Sequence, residues 1–124
     1  MKIQQQNAMI YCRADLNENT SEIIHLINQE NEIQICCKDL GFNVVKKFTD
    51  YTTSLNISQP ELQNMKDFAM QSEIPIHVVV CFELDRIART FEKVLDEISD
   101  FNKMNIDVIS VKQISNFIHQ TYEQ

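Results

Sequence analysis

The sequence predicts an α/β fold, a three-layer sandwich built on a mostly parallel sheet of four to five strands. Short apolar runs of strand type alternate along the chain with longer stretches that have helical spacing. One run, Ile76 to Phe82, is apolar almost continuously, which is typical of a central strand covered on both faces. With 124 residues, of which 44% are hydrophobic, the chain is long enough for one core, and we expect a single domain over residues 1–124.

The first βα unit is predicted before the only glycine of the chain. A strand is predicted from Asn7 to Arg13 and a helix from Thr20 to Leu40. Asn19 and Glu22 have the spacing of an N-cap and its acidic partner, and Gly41 stands where a left-handed residue ends a helix. The apolar residues expected to face the sheet from this helix are Ile23, Leu26, Ile27, Ile33, Cys36, Cys37 and Leu40.

The next segment predicts a second strand, a long loop and a second helix. The strand runs from Phe42 to Phe48, and the polar stretch Thr49 to Ser58 follows as a loop whose length suggests function. Ser58 and Glu61 have capping-box spacing, and Pro60 suits the first turn of a helix. The residues that this helix is expected to bury are Leu62, Met65, Phe68 and Ala69.

A further helix and strand complete the repeat. The helix is predicted from about Arg86 to Lys103 and the strand from Ile106 to Val111, with right-handed crossovers between the strands. Residues 113–124 are expected to form a short helix. The residues predicted on the apolar face of the long helix are Ile87, Phe91, Val94, Leu95 and Ile98.

Charge and cysteine content limit the function classes. Eleven Lys and Arg against eighteen Asp and Glu give a net charge of −7, whereas nucleic-acid affinity rests on phosphate neutralisation by Lys and Arg. A DNA role therefore requires a localised basic site or a further basic module. The four cysteines have neither disulfide-framework nor zinc spacing. Because no apolar run approaches a membrane span or a signal peptide, we expect a cytoplasmic protein with reduced thiols and no membrane contact. We also expect no cofactor and no metal.

Two predicted strand ends carry the candidate site. The central strand is followed by Leu84-Asp85-Arg86-Ile87-Ala88-Arg89, and the first strand ends in Tyr11-Cys12-Arg13-Ala14-Asp15. Open α/β sheets bind ligands at the carboxyl ends of their strands. Arginines at such a position favour an anionic ligand, although a simple Arg–Asp ion pair on a solvated helix start is the alternative.

Four motifs in order resemble the catalytic domain of the resolvase/invertase-type serine recombinases. They are Tyr11 to Asp15, Gln29 on the first helix, Asp50 to Ser54 with Gln59-Pro60-Glu61-Leu62, and Leu84 to Arg89. The resemblance covers about residues 8–111. It implies the resolvase fold and a reaction in which a serine hydroxyl attacks a DNA phosphodiester to form a phosphoserine link, while arginines stabilise the phosphate.

The resemblance also implies a role for each matching residue. Asp15 occupies the position of the nucleophile, and Asp85 would orient an arginine or assist proton transfer. The residues that would hold the phosphate are Arg13, Arg86 and Arg89. The further positions implied to contact the substrate are Gln29, Asp50, Ser54 and Gln59.

Two departures from the family pattern predict an inactive domain. Asp15 stands where the family has serine, and Gln59 stands where it has arginine. A carboxylate would have to attack a phosphodiester that is itself negative, and it costs affinity for a bound phosphate. We therefore expect Asp15 to pair with the arginines in place of the phosphate, and we expect no strand cleavage.

Two active alternatives remain open. Ser54 or Thr53 of the long loop could replace the missing nucleophile. Alternatively, Asp15, Glu83 and Asp85 could bind Mg²⁺ in a phosphotransfer or phospho-receiver protein, with Lys112 facing the phosphate.

The family also sets expectations about partners. Its members carry a long dimerisation helix and a separate DNA-binding region after the catalytic domain. In a chain that stops at Gln124 both are expected to be absent or truncated. The resemblance implies DNA as the partner, weakly for this domain alone, and a homodimer or higher oligomer for the full-length form.

Overall fold

A computed structural model describes residues 5–16 and 21–114 of the chain. Strands and helices alternate through this region, with one 3₁₀ turn after the third strand. In chain order the elements are β1 (Asn7–Asp15), α1 (Ser21–Leu40), β2 (Asn43–Thr52), α2 (Pro60–Gln71), β3 (Val78–Cys81), the 3₁₀ turn (Leu84–Arg86), α3 (Phe91–Lys103) and β4 (Asp107–Ser110).

The described strands form one parallel sheet in the order β2-β1-β3-β4. The chain leaves β1 toward β2 by way of α1 and then returns past β1 to β3 by way of α2. Connections therefore diverge at the carboxyl ends of β1 and β3, where open parallel sheets form their ligand crevice. The predicted α/β fold with a parallel sheet is confirmed.

Alternate residues of β1 face two separate apolar clusters. Met9 and Tyr11 pack toward α2 and α3, whereas Ala8, Ile10 and Cys12 pack toward α1. Both faces of β1 are buried, as the pleat of a central strand requires. This alternation also decides which side of the sheet receives each functional residue farther along β1.

β2 is a long edge strand, since no other strand of the described region pairs with its outer side. Its register with β1 shifts between Ala8 and Met9, which pair with Val44 and Lys46 and leave Val45 as a bulge. Lys46 and Lys47 follow the bulge with exposed side chains. Bulges and lysines are common devices against edge-to-edge pairing of sheets.

The face that α1 turns to the sheet is narrower than the predicted one. Ile23, Ile27 and Leu40 are about half exposed, so their predicted core positions are wrong. The predicted burial of Leu26, Ile33 and Cys37 is confirmed, and Gln29 is buried with them. The predicted cap at residue 19 lies outside the described residues. The predicted glycine stop at residue 41 is confirmed by a φ of 73°.

Several predicted boundaries are wrong because pairing in the sheet overrides local pattern. β1 extends to Asp15, and β2 continues to Thr52, so residues 49–52 belong to the sheet and the loop is residues 53–59. Polar residues at strand ends hide this extension from hydropathy. β3 and β4 are shorter than their apolar runs. Of the predicted C-terminal helix, only residues 113 and 114 lie within the described region, and both are helical.

The helix starts are also corrected. The predicted capping box of Ser58 and Glu61 does not form. The N-cap residue of α2 is Gln59 instead, and its side chain makes no capping hydrogen bond. The predicted helix from Arg86 is interrupted by the 3₁₀ turn, and α3 begins after Thr90, whose Oγ1 accepts from the Lys93 amide. Phe91 is 78% exposed and therefore does not join the core. Leu95 is also half exposed. Both residues lie away from the sheet because the buried residues of α3 are Val94 and Phe101.

The described cysteines are free, and none of the helices in residues 5–16 and 21–114 has the length and hydropathy of a membrane span. Burial raises the pKa of Cys12 and Cys81 to about 12. Both thiols are therefore protonated at neutral pH and are not nucleophiles.

Candidate functional site

Arg13 and Asp15 extend from the carboxyl end of β1, on the side of the sheet that carries α2 and α3. They are two residues apart on a strand and two and four residues beyond Tyr11, so all three point to the same face. The turn of residues 84–89 follows β3 and brings Arg86 and Arg89 to the same place. We call Arg13, Asp15, Arg86, Arg89 and the neighbouring Thr52 the arginine cluster.

The carboxylate of Asp15 is the centre of this cluster. Its Oδ1 accepts from Arg13 Nε over 3.0 Å, from Thr52 Oγ1 over 2.6 Å and from Arg89 Nη2 over 3.3 Å. Its Oδ2 lies 3.5 Å from Arg86 Nη1. One carboxylate therefore contacts every arginine that the sequence implicates in phosphate binding.

The environment keeps Asp15 ionised. Partial burial alone raises the pKa of the carboxyl group, but the hydrogen bond from Thr52 and the charges of Arg13 and Arg89 outweigh it and lower the pKa below its usual value. Arg13 is 4% exposed and would be a costly buried charge without this partner. Asp15 thus offsets one of the three arginine charges, and the cluster keeps a net positive charge.

Arg86 links the two strand ends through main-chain contacts. Its Nη1 donates to the carbonyl of Arg13 over 3.4 Å, and Arg13 Nη1 donates to the carbonyl of Arg86 over 3.2 Å. Asp85 lies at the outer side of the turn, with its Oδ1 3.4 Å from Arg86 Nε and its side chain 59% exposed. Asp85 therefore contacts an arginine but not the Asp15 carboxylate.

A second polar network lies beneath the turn and involves Gln59 and Asp50. Gln59 Nε2 donates to Tyr11 Oη over 2.8 Å and to the carbonyls of Ile87 and Arg86 over 3.0 and 3.3 Å. Tyr11 in turn donates to Asp50 Oδ2 over 2.7 Å. Gln59 thus bridges the end of the 53–59 loop and the 84–89 turn.

Asp50 caps α2 from a neighbouring strand. Its Oδ1 accepts from the Glu61 amide over 2.9 Å and its Oδ2 from the Leu62 amide over 3.1 Å. These are two of the amides that a helix start leaves without partners. At 2% exposure, with its acceptor sites filled by the protein, Asp50 has a structural role in this geometry.

Ser54 and Thr53 lie apart from the arginine cluster. Thr53 closes a tight turn, since its Oγ1 accepts from the amides of Leu55 and Asn56. Among the described residues, no hydrogen bond or ion pair joins Ser54 or Thr53 to an arginine. The hydroxyl that does join the cluster is Thr52, which sequence reasoning missed because it assigned residue 52 to the loop; the pairing of Asp15 with Thr52 across β1 and β2 is what reveals it.

Gln29 is separated from Asp15 by the sheet. It lies on α1, which packs on the opposite face, and it lines a cleft there together with Arg86. No described hydrogen bond or ion pair joins Gln29 directly to Asp15, but Arg86 both lines this cleft and lies 3.5 Å from Asp15 Oδ2. Of the sequence-predicted site residues, the structure therefore joins Arg13, Arg86 and Arg89 with Asp15, but not Gln29.

The carboxylates of the magnesium alternative are not gathered into one site. Glu83 lies 3.7 Å from Lys112 Nζ, and Asp85 and Asp15 have their own arginine partners. Within residues 5–16 and 21–114, no three His, Cys, Asp or Glu side chains could hold a metal ion together. The described residues therefore offer this alternative no donor set.

Comparison with known proteins identifies the family. The family described as "Resolvase, N terminal domain" matches residues 8–123. No curated protein matches the chain significantly.

Three solved structures show the fold. A resolvase family site-specific recombinase from Streptococcus pneumoniae superposes with a TM-score of 0.78 at 17% identity, covering 88% of this chain and 74% of that one. The N-terminal catalytic domain of TP901-1 integrase gives 0.74 at 23% identity, covering 87% and 79%. The C-terminal catalytic domain of ISC1926 TnpA, an IS607-like serine recombinase, gives 0.70 at 21% identity, covering 85% and 67%. The family match covers nearly the whole described region and agrees with the fold. The chain therefore belongs to the resolvase N-terminal domain family.

Proposed function

We propose that this chain is a catalytically silent serine-recombinase catalytic domain. The observation that carries the proposal is that the carboxylate of Asp15 contacts Arg13, Arg86 and Arg89; the family resemblance implies the nucleophile at this position. A phosphate held by those arginines would need the same donors. The resident carboxylate therefore competes with the substrate for its own binding groups.

The chemistry at this position also opposes cleavage. Transfer of a phosphodiester to the protein requires a nucleophile that can approach phosphorus, and Asp15 Oδ1 already accepts from three donors. An ionised carboxylate next to the anionic phosphodiester adds repulsion in a partly dry site. Gln59 supplies no positive charge where the family has arginine.

Thr52 is the hydroxyl nearest to the arginines, and its environment argues against a role as nucleophile. Thr52 is completely buried. Its Oγ1 donates a hydrogen bond to Asp15 and accepts one from Arg89. A DNA strand would have to displace both neighbours to reach it. Thr52 is therefore better suited to orient the Asp15 carboxylate than to attack DNA.

DNA and a second recombinase subunit are the partners that family membership favours. Recombinases of this family act on DNA. With a net charge of −7 and arginines that already hold the Asp15 carboxylate, we expect this chain alone to bind DNA weakly.

Covalent attachment to DNA tests the proposal directly. The chain is incubated with labelled supercoiled plasmid, and the reaction is stopped with detergent. Nicked plasmid and protein–DNA adducts are then quantified. We expect neither product from the unmodified chain. Asp15→Ser, and Asp15→Ser combined with Gln59→Arg, would show whether restoring the family residues restores attack; their unfolding curves serve as the folding control.

The same assay separates the alternatives. Nicking by the unmodified chain would refute the silent-domain proposal. Loss of that nicking in Ser54→Ala, Thr53→Ala or Thr52→Val would then identify the replacement hydroxyl. Nicking that depends on Mg²⁺ and disappears in Asp85→Asn would instead favour the metal-dependent reaction.

A further inference from the structure

The outer side of α1 carries exposed isoleucines. Ile24 is 60% exposed, Ile27 52% and Ile35 55%, although isoleucine is among the residues that proteins bury most often. A helix that packs on a sheet normally has a polar outer side. Single apolar residues scattered over a surface are ordinary, so the arrangement of these three is the feature that needs a reason.

The isoleucines lie on one line along the helix, on the side opposite the residues that α1 buries. At about 100° per residue, Ile24 and Ile35 differ by only about 20° around the helix axis, and Ile27 lies about 60° from Ile24. Asn31 lies between Ile27 and Ile35 on this line, and Lys38 extends it by one turn; both are exposed. We call Ile24, Ile27, Asn31, Ile35 and Lys38 the isoleucine stripe.

The isoleucine stripe is symmetric about Asn31. Successive members, at positions 24, 27, 31, 35 and 38, are 3, 4, 4 and 3 positions apart, so the pattern is the same from either end. A two-fold axis requires a surface that is complementary to itself, because residue i contacts residue j and residue j contacts residue i. With the axis at Asn31, an antiparallel second copy would bring its Ile35 beside Ile27 and its Ile27 beside Ile35. This symmetry favours a second copy of the chain over an unrelated partner.

The polar members of the stripe suit the same pairing. The Asn31 carboxamide both donates and accepts, so it can pair with the same group of a second copy, and a single asparagine in an apolar helix seam fixes the register. Lys38 would lie beside Ile24 of the second copy, where its aliphatic stem covers the isoleucine while the ammonium group stays in water. The two lysines would be about 21 Å apart along the helices, so they would not repel each other strongly.

We propose that the isoleucine stripe is a homodimer interface, in which the α1 helices of two copies pack antiparallel around a two-fold axis at Asn31. The contact spans about four helical turns, which is less than a standard interface, and each copy has a net charge of −7. The dimer is therefore weak and reversible. This surface lies beyond the proposed silent-recombinase function and depends on neither Asp15 nor strand cleavage. It also differs from the dimerisation helix that the family carries after the catalytic domain.

Sedimentation equilibrium at physiological ionic strength, over protein concentrations of about 10 µM to 1 mM, tests the proposal. We expect a reversible monomer–dimer equilibrium with a submillimolar dissociation constant. Ile27→Glu should weaken it about tenfold or more, because the dimer buries the substituted position twice. Ile35→Glu should have the same effect, since the two positions face each other. The matched control is Ile57→Glu, at a residue of the 53–59 loop that is 60% exposed, and it should leave the equilibrium unchanged.

Two results of this experiment would overturn the proposal. One is a chain that stays monomeric at all of these concentrations. The other is a dimer that persists unchanged in Ile27→Glu and Ile35→Glu, which would mean that the copies associate through another surface.

Disulfide crosslinking tests the position of the axis. Asn31→Cys places two thiols at the axis, within reach of each other, whereas Asp39→Cys places them about 24 Å apart along the helices. We expect a covalent dimer from Asn31→Cys, and from Asp39→Cys no more than the unmodified protein gives. Peptide mapping distinguishes the bond between the two positions 31 from bonds of the native Cys36. Equal yields from the two variants, or no bond at position 31, would overturn the proposed register.

Urea unfolding separates a second copy from a cover that the chain itself supplies. At about 1 µM protein a weak dimer is dissociated, and Ile27→Glu should then unfold at the same urea concentration as Ile57→Glu, because both side chains are already in contact with water. A clearly lower unfolding midpoint for Ile27→Glu would mean that a segment of the same chain covers the stripe, and it would overturn the proposal.

Discussion

The two faces of the sheet treat their buried polar groups differently at the carboxyl edge. On the α2 and α3 face, Asp15, Arg13 and Thr52 bond to one another. On the α1 face, the amide of Gln29 has no hydrogen bond within the described structure. Polar groups that satisfy each other stabilise the fold and exclude a ligand, whereas an unpaired group costs stability unless a ligand completes it. The cluster around Asp15 is therefore bonded within the fold although it is partly exposed, whereas the Gln29 carbonyl oxygen is buried without a partner.

The largest expected effect comes from Asp50, which anchors the internally bonded face. Asp50→Ala removes the acceptor for Tyr11 and for the first amides of α2. We expect a loss of about 3–4 kcal/mol in the free energy of unfolding, because several charge-assisted bonds disappear from a buried site. Urea denaturation measures it.

Asp67→Ala is the matched control for this variant. Asp67 lies on α2 with an exposed side chain and, among the described residues, accepts a hydrogen bond only from Gln63. We expect this change to cost less than about 0.5 kcal/mol. An Asp50→Ala loss of similar size would contradict the view that this face is internally stabilised.

Asp15→Asn should have an intermediate effect and should open the cluster to anions. We expect a loss of about 1–2 kcal/mol at neutral pH, since the charge that balances the buried Arg13 is removed. Phosphate should then stabilise the variant more than it stabilises the unmodified protein, because the arginines are free to bind it. Asp107→Asn, on the exposed start of β4, controls for nonspecific salt effects. An equal response of all three proteins would show that the arginines bind no anion even without their carboxylate.

The pH dependence of this variant follows from the direction of the pKa shift. Folding lowers the pKa of Asp15, so its contribution to stability is complete above the usual aspartate pKa of about 3.9 and is lost as pH falls through the lower folded value. The difference in unfolding free energy between the unmodified protein and Asp15→Asn should therefore shrink as pH is lowered below about 4. Urea titrations at several pH values measure this difference. A difference that grows in acid would mean that Asp15 is not held ionised by the arginines.

The smallest expected effect lies outside both regions and calibrates the comparison. Thr90→Ala removes the side-chain cap of α3, which should cost about 1 kcal/mol in unfolding free energy. Ser99→Ala, at an exposed position within α3, should be nearly neutral. If Thr90→Ala cost as much as Asp50→Ala, capping alone would explain the Asp50 result.

The fold and half of the candidate site could be predicted from sequence. Alternating strand and helix patterns predict the parallel sheet, and arginines at two strand ends predict a cluster, because adjacent parallel strands end at one edge. The contacts of Asp50 with Tyr11 and with the first amides of α2 could not be predicted, since they depend on the distance between β2 and α2 in space. Gln29 as a substrate contact stays a prediction, whereas its burial could not be predicted, because periodicity alone does not reveal which residues of a helix the sheet covers.

Helix rotation and helix starts were the other limits. The apolar residues of α1 outnumber the positions that the sheet can cover, so periodicity alone could not choose Leu26 over Ile23. The start of α3 depends on the 3₁₀ turn, where Ile87 enters the core and interrupts the helical pattern. Both outcomes are decided by tertiary packing.

The lysines of the β2 edge have a consequence for the protein at high concentration. A second copy that approached this edge would bring Lys46 and Lys47 close to the same residues of its neighbour, and like charges across a strand pair are destabilising. Electrostatic repulsion, rather than a covering element among the described residues, is then what opposes growth of the sheet at this edge. Because salt screens exposed charges, colloidal stability should decline as ionic strength rises.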